Sequence, residues 1–393
     1  MSDPWLTIIG IGEDGHAGLS DASREALAHA EIIFGGPRHL ELAGAGGRGR
    51  PWPIPFDIEP VLAEKGRNVV VLTSGDPFWF GAGGRIADHL PTAEYRTFPA
   101  PSVFSLAAAQ LGWSIQHITC LGLHAAPFGR LVPVLHPGAR IIATVRDGAA
   151  PAALAAWLVG RGFGATRLHV LERMGGPRQR VRTCRADAFD LADIDAPVAV
   201  ALDITGGPGL MRGFGLADDL FATDGQITKR TVRAITLSTL APRPGALLWD
   251  LGAGSGSISV EWCLAGGRAI AVEARADRAA NITENAARFG IDGLLQVVVG
   301  SAREAVDGLD APDAVFVGGG ASNELIADLW SMLAPGVRIV VNGVTLETEA
   351  LLASEHAARG GALMRIDIAE AAPLGRMRGW AAARPVVQWS VVR

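Results

Sequence analysis

Short apolar runs alternate with longer Ala/Leu-rich amphipathic stretches along almost the whole chain, and the pattern lapses only once. Such alternation marks α/β architecture, in which each run is a strand and each amphipathic stretch is a helix laid on the sheet. The lapse covers 203–225. Its centre, Gly206-Gly-Pro-Gly-Leu-Met-Arg-Gly-Phe-Gly-Leu216, has the composition of a linker. The 393 residues therefore divide into two α/β halves, 1–205 and 225–393, joined by a glycine-rich linker at 206–224. In the first half the pattern predicts strands at 6–10, 69–72, 118–121, 140–143, 167–171 and 198–202, with helices at 21–30, 82–89, 103–111 and 152–159. In the second it predicts strands at 247–251, 269–273, 296–299, 314–317, 338–341 and 386–392. Helices are expected there at 229–240, 258–264, 276–289, 324–333 and 347–359.

Composition narrows the function classes. Apolar residues make up 49% and charged residues 19%, enough for sizeable cores and against disorder. No apolar run approaches the ~18 residues of a spanning helix. The start, 1–5, is acidic and has no basic and apolar leader pattern, so secretion is not expected. Lys and Arg total 35 against 40 Asp and Glu, for a net charge of −5. That balance argues against a nucleic-acid partner. Cys120, Cys184 and Cys263 show no C-x-x-C spacing, so neither a metal site nor a disulfide framework is expected, and the cytoplasm is the default compartment.

In the second half, Leu247-Leu-Trp-Asp-Leu-Gly-Ala-Gly-Ser-Gly256 is an apolar strand that carries Asp250 near its end and enters alternating glycines. Glycine lets the backbone approach a ligand closely where a strand turns into a helix. The ligand could be a dinucleotide or S-adenosylmethionine. A dinucleotide fingerprint wants its third glycine at position 257, which is Ser257. The turn Gly252-Ala253-Gly254-Ser255-Gly256 instead resembles the D-x-G-x-G-x-G motif of class I S-adenosylmethionine-dependent methyltransferases. Glu273, closing Ile270-Ala-Val-Glu, is placed to accept the hydroxyls of a ribose, and Gly300-Ser-Ala302 follows the next strand where an adenine edge would lie. Val317-Gly-Gly-Gly320 lacks the Asn/Asp-Pro-Pro-aromatic motif used on exocyclic amines, so a nucleobase amine is not the expected acceptor.

The first half carries Gly10-Ile-Gly-Glu-Asp-Gly15, Leu72-Thr-Ser-Gly-Asp-Pro-Phe-Trp-Phe-Gly81 and Pro99-Ala-Pro-Ser-Val-Phe-Ser105. In this order the strings resemble class III tetrapyrrole methylases. The resemblance implies two α/β subdomains, breaking near 113–118, with S-adenosylmethionine folded between them. It assigns donor contacts to Gly10, Gly12, Gly75, Asp76, Pro77 and Ser102. The chain departs from the family pattern at Glu13-Asp14, where Pro-Gly is common, at Phe104, and at Gly122-Leu-His124, a loose form of the S-x-H-G-R segment.

A tetrapyrrole methylase followed by a class I methyltransferase resembles the precorrin-6Y C5,15-methyltransferases (decarboxylating) of cobalamin biosynthesis. Leu171-Glu-Arg-Met-Gly-Gly-Pro177 is similar to a segment of their C5-methylating half, and Gly225-Gln-Ile-Thr-Lys-Arg-Thr-Val-Arg233 to the first helix of their C15-methylating half, which puts Thr228 beside the donor. The implied reaction methylates precorrin-6B (dihydro-precorrin-6) at C5 and C15 and removes the ring C acetate carboxyl, giving precorrin-8. C5 falls to 1–205, and C15 with decarboxylation falls to 225–393. S-adenosylmethionine is the implied cofactor. A corrin precursor is the implied partner, with no nucleic acid, no membrane and a homo-oligomeric state. Arg178 and Arg180, with Arg182, are candidates for the substrate carboxylates, as are Arg376 and Arg378, although for the first group a solvated edge strand whose charges discourage aggregation is the preferred reading. His124 is a candidate proton carrier and no residue is assigned a catalytic role. An RNA methyltransferase and a non-catalytic S-adenosylmethionine sensor stay open as alternatives.

Overall fold

The computed structural model describes residues 4–393; Met1, Ser2 and Asp3, part of the acidic start read at 1–5, lie outside the described residues. Contacts divide the chain into one unit of Met1–Ala126 with Val134–Pro208 and another of Pro127–Pro133 with Gly209–Arg393.

The first unit runs β1 (Leu6–Ile11), α1 (Asp21–His29), β2 (Ile32–Gly35), α2 (Pro37–Leu42), β3 (Gly49–Pro51), α3 (Glu59–Leu62), β4 (Val69–Ser74), α4 (Gly83–Ala87) and β5 (Tyr95–Phe98). It continues through α5 (Val103–Leu111), β6 (Thr119–Gly122), β7 (Arg140–Thr144), α6 (Ala150–Gly160), β8 (Arg167–Glu172), β9 (Arg180–Arg185) and β10 (Val198–Asp203). The strands form two sheets, β3-β2-β4-β1-β5, parallel throughout, and β6-β7-β10-β8-β9. β1 and β4 are buried on both faces, as parallel sheets require, so they read as unbroken apolar runs. β2, β3 and β5 escape the sequence reading: each has only three or four residues, and the edge strands β3 and β5 carry Arg or Pro. α5 starts where Ser102 Oγ accepts the Ser105 amide at 3.1 Å and ends at left-handed Gly112, φ 66°. Phe104, Ala107 and Ala108 on α5 pack against Ile142, Leu171, Ala199 and Ala201 of the second sheet.

The second unit contains α7 (Arg230–Leu240), β11 (Leu247–Leu251), α8 (Ser257–Leu264), β12 (Arg268–Glu273), α9 (Ala276–Phe289), β13 (Leu295–Val299), α10 (Ala302–Ala305) and β14 (Ala314–Val317). Then follow α11 (Asn323–Met332), β15 (Arg338–Gly343), α12 (Leu346–Arg359), β16 (Ala362–Ile366), β17 (Ala369–Leu374), β18 (Met377–Ala382) and β19 (Val386–Val392). One sheet, ordered β13-β12-β11-β14-β15-β19-β16, is parallel from β13 to β15, and β19 lies antiparallel to both β15 and β16. Its strand order reverses between β11 and β14, the position at which open α/β sheets bind ligands. β11 alternates: Leu247, Trp249 and Leu251 face one core, while Leu248 faces the other with Ile258, Val260 and Trp262 of α8. No helix among the described residues is long and apolar enough to cross a membrane.

The stretch expected to be a linker, 206–224, is docked from Gly209 onward in the second unit. Leu216 and Phe221 are core residues. The amides of Gly215 and Leu216 donate to Glu261 at 2.6 and 3.0 Å, and the Asn285 side chain brackets the backbone of Ala222 at 2.7 and 2.9 Å. Gly215 has φ 87°, and a Cβ there would lie 3.1 Å from the Arg230 carbonyl. Close packing on α7 explains this glycine; flexibility does not.

Candidate active site

In the second unit the glycine turn follows β11 at the point of strand reversal. Gly252, Gly254 and Gly256 have φ of 69°, 59° and 70°, which side chains resist. A Cβ on Gly252 would meet the Gly319 carbonyl at 2.6 Å and one on Gly256 would meet Ile282 at 2.7 Å, so the turn is wedged between the loop after β14 and α9. Gly254 differs, since the nearest atom to a Cβ there is the Gln226 carbonyl at 3.7 Å. The middle of the turn thus makes only ordinary contact with the segment that leads into α7, in which Thr228 is half-buried. Glu273, buried at the end of β12, accepts the Gly254 amide at 2.8 Å and the Arg275 amide at 3.0 Å. Gly300 donates to the Glu273 carbonyl at 3.0 Å, and Ala302 begins α10 behind the Ser301 cap. The Ala253 amide is spent on Val272, whereas the Ser255 hydroxyl is buried without a partner. A left-handed glycine backbone, an acid at the neighbouring strand end and an orphaned hydroxyl fit an adenosine-bearing methyl donor.

Asp250 departs from its expected donor role. Its carboxylate faces α8, accepting from Ser259 N at 3.2 Å and Ser259 Oγ at 2.6 Å, and its other oxygen is buried without a partner. Burial raises its pKa to about 6 against the Ser259 hydrogen bonds, and the Glu273 charge adds to the rise. Because the folded pKa lies above the unfolded value, Asp250 favours the folded state at low pH, and this contribution is lost as pH rises from about 4 through 6. Asp250→Asn is therefore expected to remove about 2–3 kcal/mol of pH-dependent destabilisation across that window. Urea titrations of both proteins between pH 4.5 and 7 check this; parallel curves would contradict it.

Three turns meet in the first unit, at the carboxyl ends of β4, β1 and β5. A Cβ on Gly10 would sit 1.8 Å from the Gly75 carbonyl and 2.6 Å from the Ala100 amide. Gly75 N donates to Ile11 at 3.1 Å, and Ala100 N donates to Gly75 at 3.3 Å. The turns border a cavity of about 210 Å³, lined by Gly12, Ser74 and Gly75 together with His124, Thr144 and Met174. Asp76, Pro77 and Ser102 shape the turns without lining the cavity. Asp76 accepts the Phe78 amide at 2.8 Å, Pro77 accepts Gly83 N at 2.9 Å, and Ser102 caps α5. A cradle of bare glycine backbone again fits a nucleoside donor.

Glu13, a departure from the family pattern, has a structural partner set. It pairs with Arg38 and, at 3.1 Å, with Arg173, which also grips Asp195. Gly176 comes so close that a Cβ would lie 2.5 Å from the Glu13 Cβ. Burial, then the neighbouring Arg38 charge, depresses the His39 pKa to about 4, so this ring is neutral near pH 7.

The arginine candidates separate. Arg180 and Arg182 are committed to fully buried Glu172, Arg180 at 2.5 Å and Arg182 at 3.0 Å, so neither is free for substrate as the sequence reading had it. Burial opposes ionisation of Glu172, but Arg180, the Asp195 amide and Arg182 outweigh it and hold the carboxyl below its usual range. Arg178, loosely paired with Asp195 at 3.6 Å, stays exposed outside β9. Arg376 lies in the tight turn between β17 and β18 and Arg378 on β18, both exposed. The sequence reading missed Arg233, Glu261, Asn285 and Gly319, which hold the second donor turn and its approach segment in place.

A model of the precorrin methyltransferase domain matches residues 219–393, and one of the tetrapyrrole (corrin/porphyrin) methylases matches residues 6–190. Over 397 aligned residues the chain is 48% identical to a precorrin-6Y C(5,15)-methyltransferase [decarboxylating] of Sinorhizobium sp, covering 98% of this chain and 96% of the relative. The chain belongs to the precorrin-6Y C5,15-methyltransferase (decarboxylating) family. A Mycobacterium tuberculosis precorrin-6Y C(5,15)-methyltransferase is 37% identical over 99% of this chain and 100% of its own length. A cobalt-precorrin-7 C(5)-methyltransferase of Salmonella typhimurium is 30% identical over 202 residues, which is 50% of this chain and 98% of the relative. As a precorrin-6Y C5,15-methyltransferase family member the chain is an enzyme with a tetrapyrrole methylase fold and a class I methyltransferase fold in sequence, as the motifs led one to expect. Membership favours the tetrapyrrole reading over the RNA methyltransferase and the sensor.

Proposed function

We propose that this chain methylates precorrin-6B at C5 and C15 and removes the ring C acetate carboxyl, giving precorrin-8, with S-adenosylmethionine as donor in two separate sites. The observation that carries the reading is the presence of two unrelated glycine cradles, each at the carboxyl end of its own parallel sheet. C5 methylation belongs to 1–205, and C15 methylation with decarboxylation to 225–393.

The donor supplies an electrophilic methyl on a sulfonium. The acceptor carbon is already nucleophilic through its conjugated pyrrole nitrogens, so the protein's work is alignment and exclusion of water. Gly10, Gly12 and Gly75 in one unit, and Gly252, Ala253, Gly254, Ser255 and Gly256 in the other, bring backbone against the donor. Glu273 would hold the ribose, Ala302 would border the adenine, and Thr228 would stand beside the donor, its own carbonyl being held by Arg233. For decarboxylation the macrocycle itself serves as electron sink. Exposed Arg376 and Arg378, and Arg178 with its loose Asp195 pairing, are the arginines left to meet peripheral carboxylates. The protein acts in the cytoplasm as a homo-oligomer; the β17–β18 hairpin, with Leu374, Met377 and Trp380 exposed at 69%, 76% and 79%, supports self-association.

Glu273→Ala is expected to weaken the second donor site by about 10–100-fold, the worth of charge-assisted hydrogen bonds to a ribose. Product mass should then show the C5 methyl retained and the C15 methyl and carbon dioxide loss suppressed. If both methylations fell equally in a folded variant, the two-site reading would be wrong.

A further inference from the structure

The first unit's cavity is bordered by few groups able to take up a proton. Glu13 carries its charge into ion pairs with Arg38 and Arg173, and the hydroxyls of Ser74 and Thr144 are not bases at neutral pH. His124 is the remaining titratable group on the cavity wall, and it is exposed, not packed. It stands two residues beyond the end of β6, where Gly122 pairs with Thr144 of β7. Its Nδ1 lies 3.4 Å from Thr144 Oγ1. With Nδ1–H directed at that hydroxyl, Nε2 keeps its lone pair.

A second feature adjoins it. Phe80 holds a left-handed φ of 57°, a strained conformation for an aromatic residue, and the residue is 53% exposed. A Cβ on Gly122 would touch this ring at 3.2 Å on one side and His124 Cε1 at 3.5 Å on the other. Phe80 and His124 thus both approach one bare glycine, so that an aromatic ring lies near the imidazole that lines the cavity. That pairing suits a flat conjugated acceptor that must lose a proton.

We infer that His124 is the base of C5 methylation and that Thr144 positions it; the inference rests on the C5 reading above. C5 is a bridge carbon bearing one hydrogen. As the C5–CH₃ bond forms and the methyl–sulfur bond breaks, C5 becomes tetrahedral and the conjugated nitrogens take the positive charge. Transfer of the C5 proton to His124 Nε2 returns its electron pair to the ring system. The imidazolium then releases the proton to solvent, so one methyl is exchanged for one proton.

The test uses the full chain with S-adenosylmethionine and precorrin-6B, comparing wild type, His124→Gln and Thr144→Val. His124→Gln should slow C5 methylation by about 10²-fold or more through kcat, with KM little changed. C15 methylation and decarboxylation should proceed at the wild-type rate. The acid limb of the C5 pH–rate profile should vanish in His124→Gln and shift in Thr144→Val. A substrate deuterated at C5 should show a larger isotope effect in His124→Gln. A wild-type C5 rate in His124→Gln, or a slow variant that keeps the acid limb and shows no isotope effect, overturns the assignment. If the wild-type chain itself forms no C5-methylated product, the C5 reading fails and the base falls with it.

Discussion

Glu261→Ala is expected to destabilise the second unit by about 3–5 kcal/mol, the usual cost of leaving one member of a buried ion pair without its partner. Arg233 is fully buried on α7 and its guanidinium reaches Glu261 at 2.5 Å, Asp218 at 3.0 Å and the Thr228 carbonyl at 2.5 Å. It also reaches the Leu216 carbonyl and lies 4.7 Å from the Phe221 ring centre. Without the acid, the guanidinium keeps only one partly exposed carboxylate, and the Gly215 and Leu216 amides lose their acceptor. The approach segment 215–228 should loosen and the second donor site should weaken with it. Arg233→Met combined with Glu261→Met should recover much of the loss, since no charge is then buried. Urea denaturation of the three variants decides the matter; a change below about 1 kcal/mol in Glu261→Ala would mean that the pair carries little of the fold.

Gly10→Ala should remove C5 methylation almost completely, by more than about 10²-fold, because misplacing a donor by an ångström costs that much. The added carbon would stand 1.8 Å from one backbone atom and 2.6 Å from another, and neither belongs to a side chain that can swing aside. The turns after β1, β4 and β5 must then part. Gly12→Ala is the milder comparison, since its Cβ would meet only the movable Asp14 side chain, at 2.6 Å. Donor stoichiometry by calorimetry should fall from two per chain to one in Gly10→Ala, with the C15 methyl still present in the product mass. A retained second donor with normal C5 turnover would show that the turns need not touch.

Local features were legible in the sequence. β11, α5, α9 and β19 fall at their expected bounds because each is set by its own periodicity and by nearby caps such as Ser102 and Gly112. The glycine turns were legible as well, since a left-handed backbone leaves its mark in residue type. Side-chain direction was not. Asp250 and Glu273 both sit at strand ends, yet the first turns into the core toward Ser259 and the second stays beside the donor turn. Arg180 looked available until β9 paired it with Glu172 of β8. Arg233 lay inside a motif, but its partner Glu261 is 28 residues away, a distance that no local pattern spans. The β17–β18 hairpin, rich in Ala, Gly and Pro, offers no apolar alternation to read.

The anchoring of 209–224 bears on how two such activities can share or part company as genes. A boundary drawn where the composition recovers, at 225, would strip the C-terminal enzyme of the Gly215 and Leu216 amides, of Asp218 and of the Ala222 backbone, on which Glu261, Arg233 and Asn285 close. A boundary between Pro208 and Gly209 leaves that set whole. From Gly209 the apparent spacer is the leading edge of the second enzyme, and Gly206 and Gly207 just ahead of it already pack on Gly162 and Phe163 of the first, so the natural point of fission is the single Pro208–Gly209 junction.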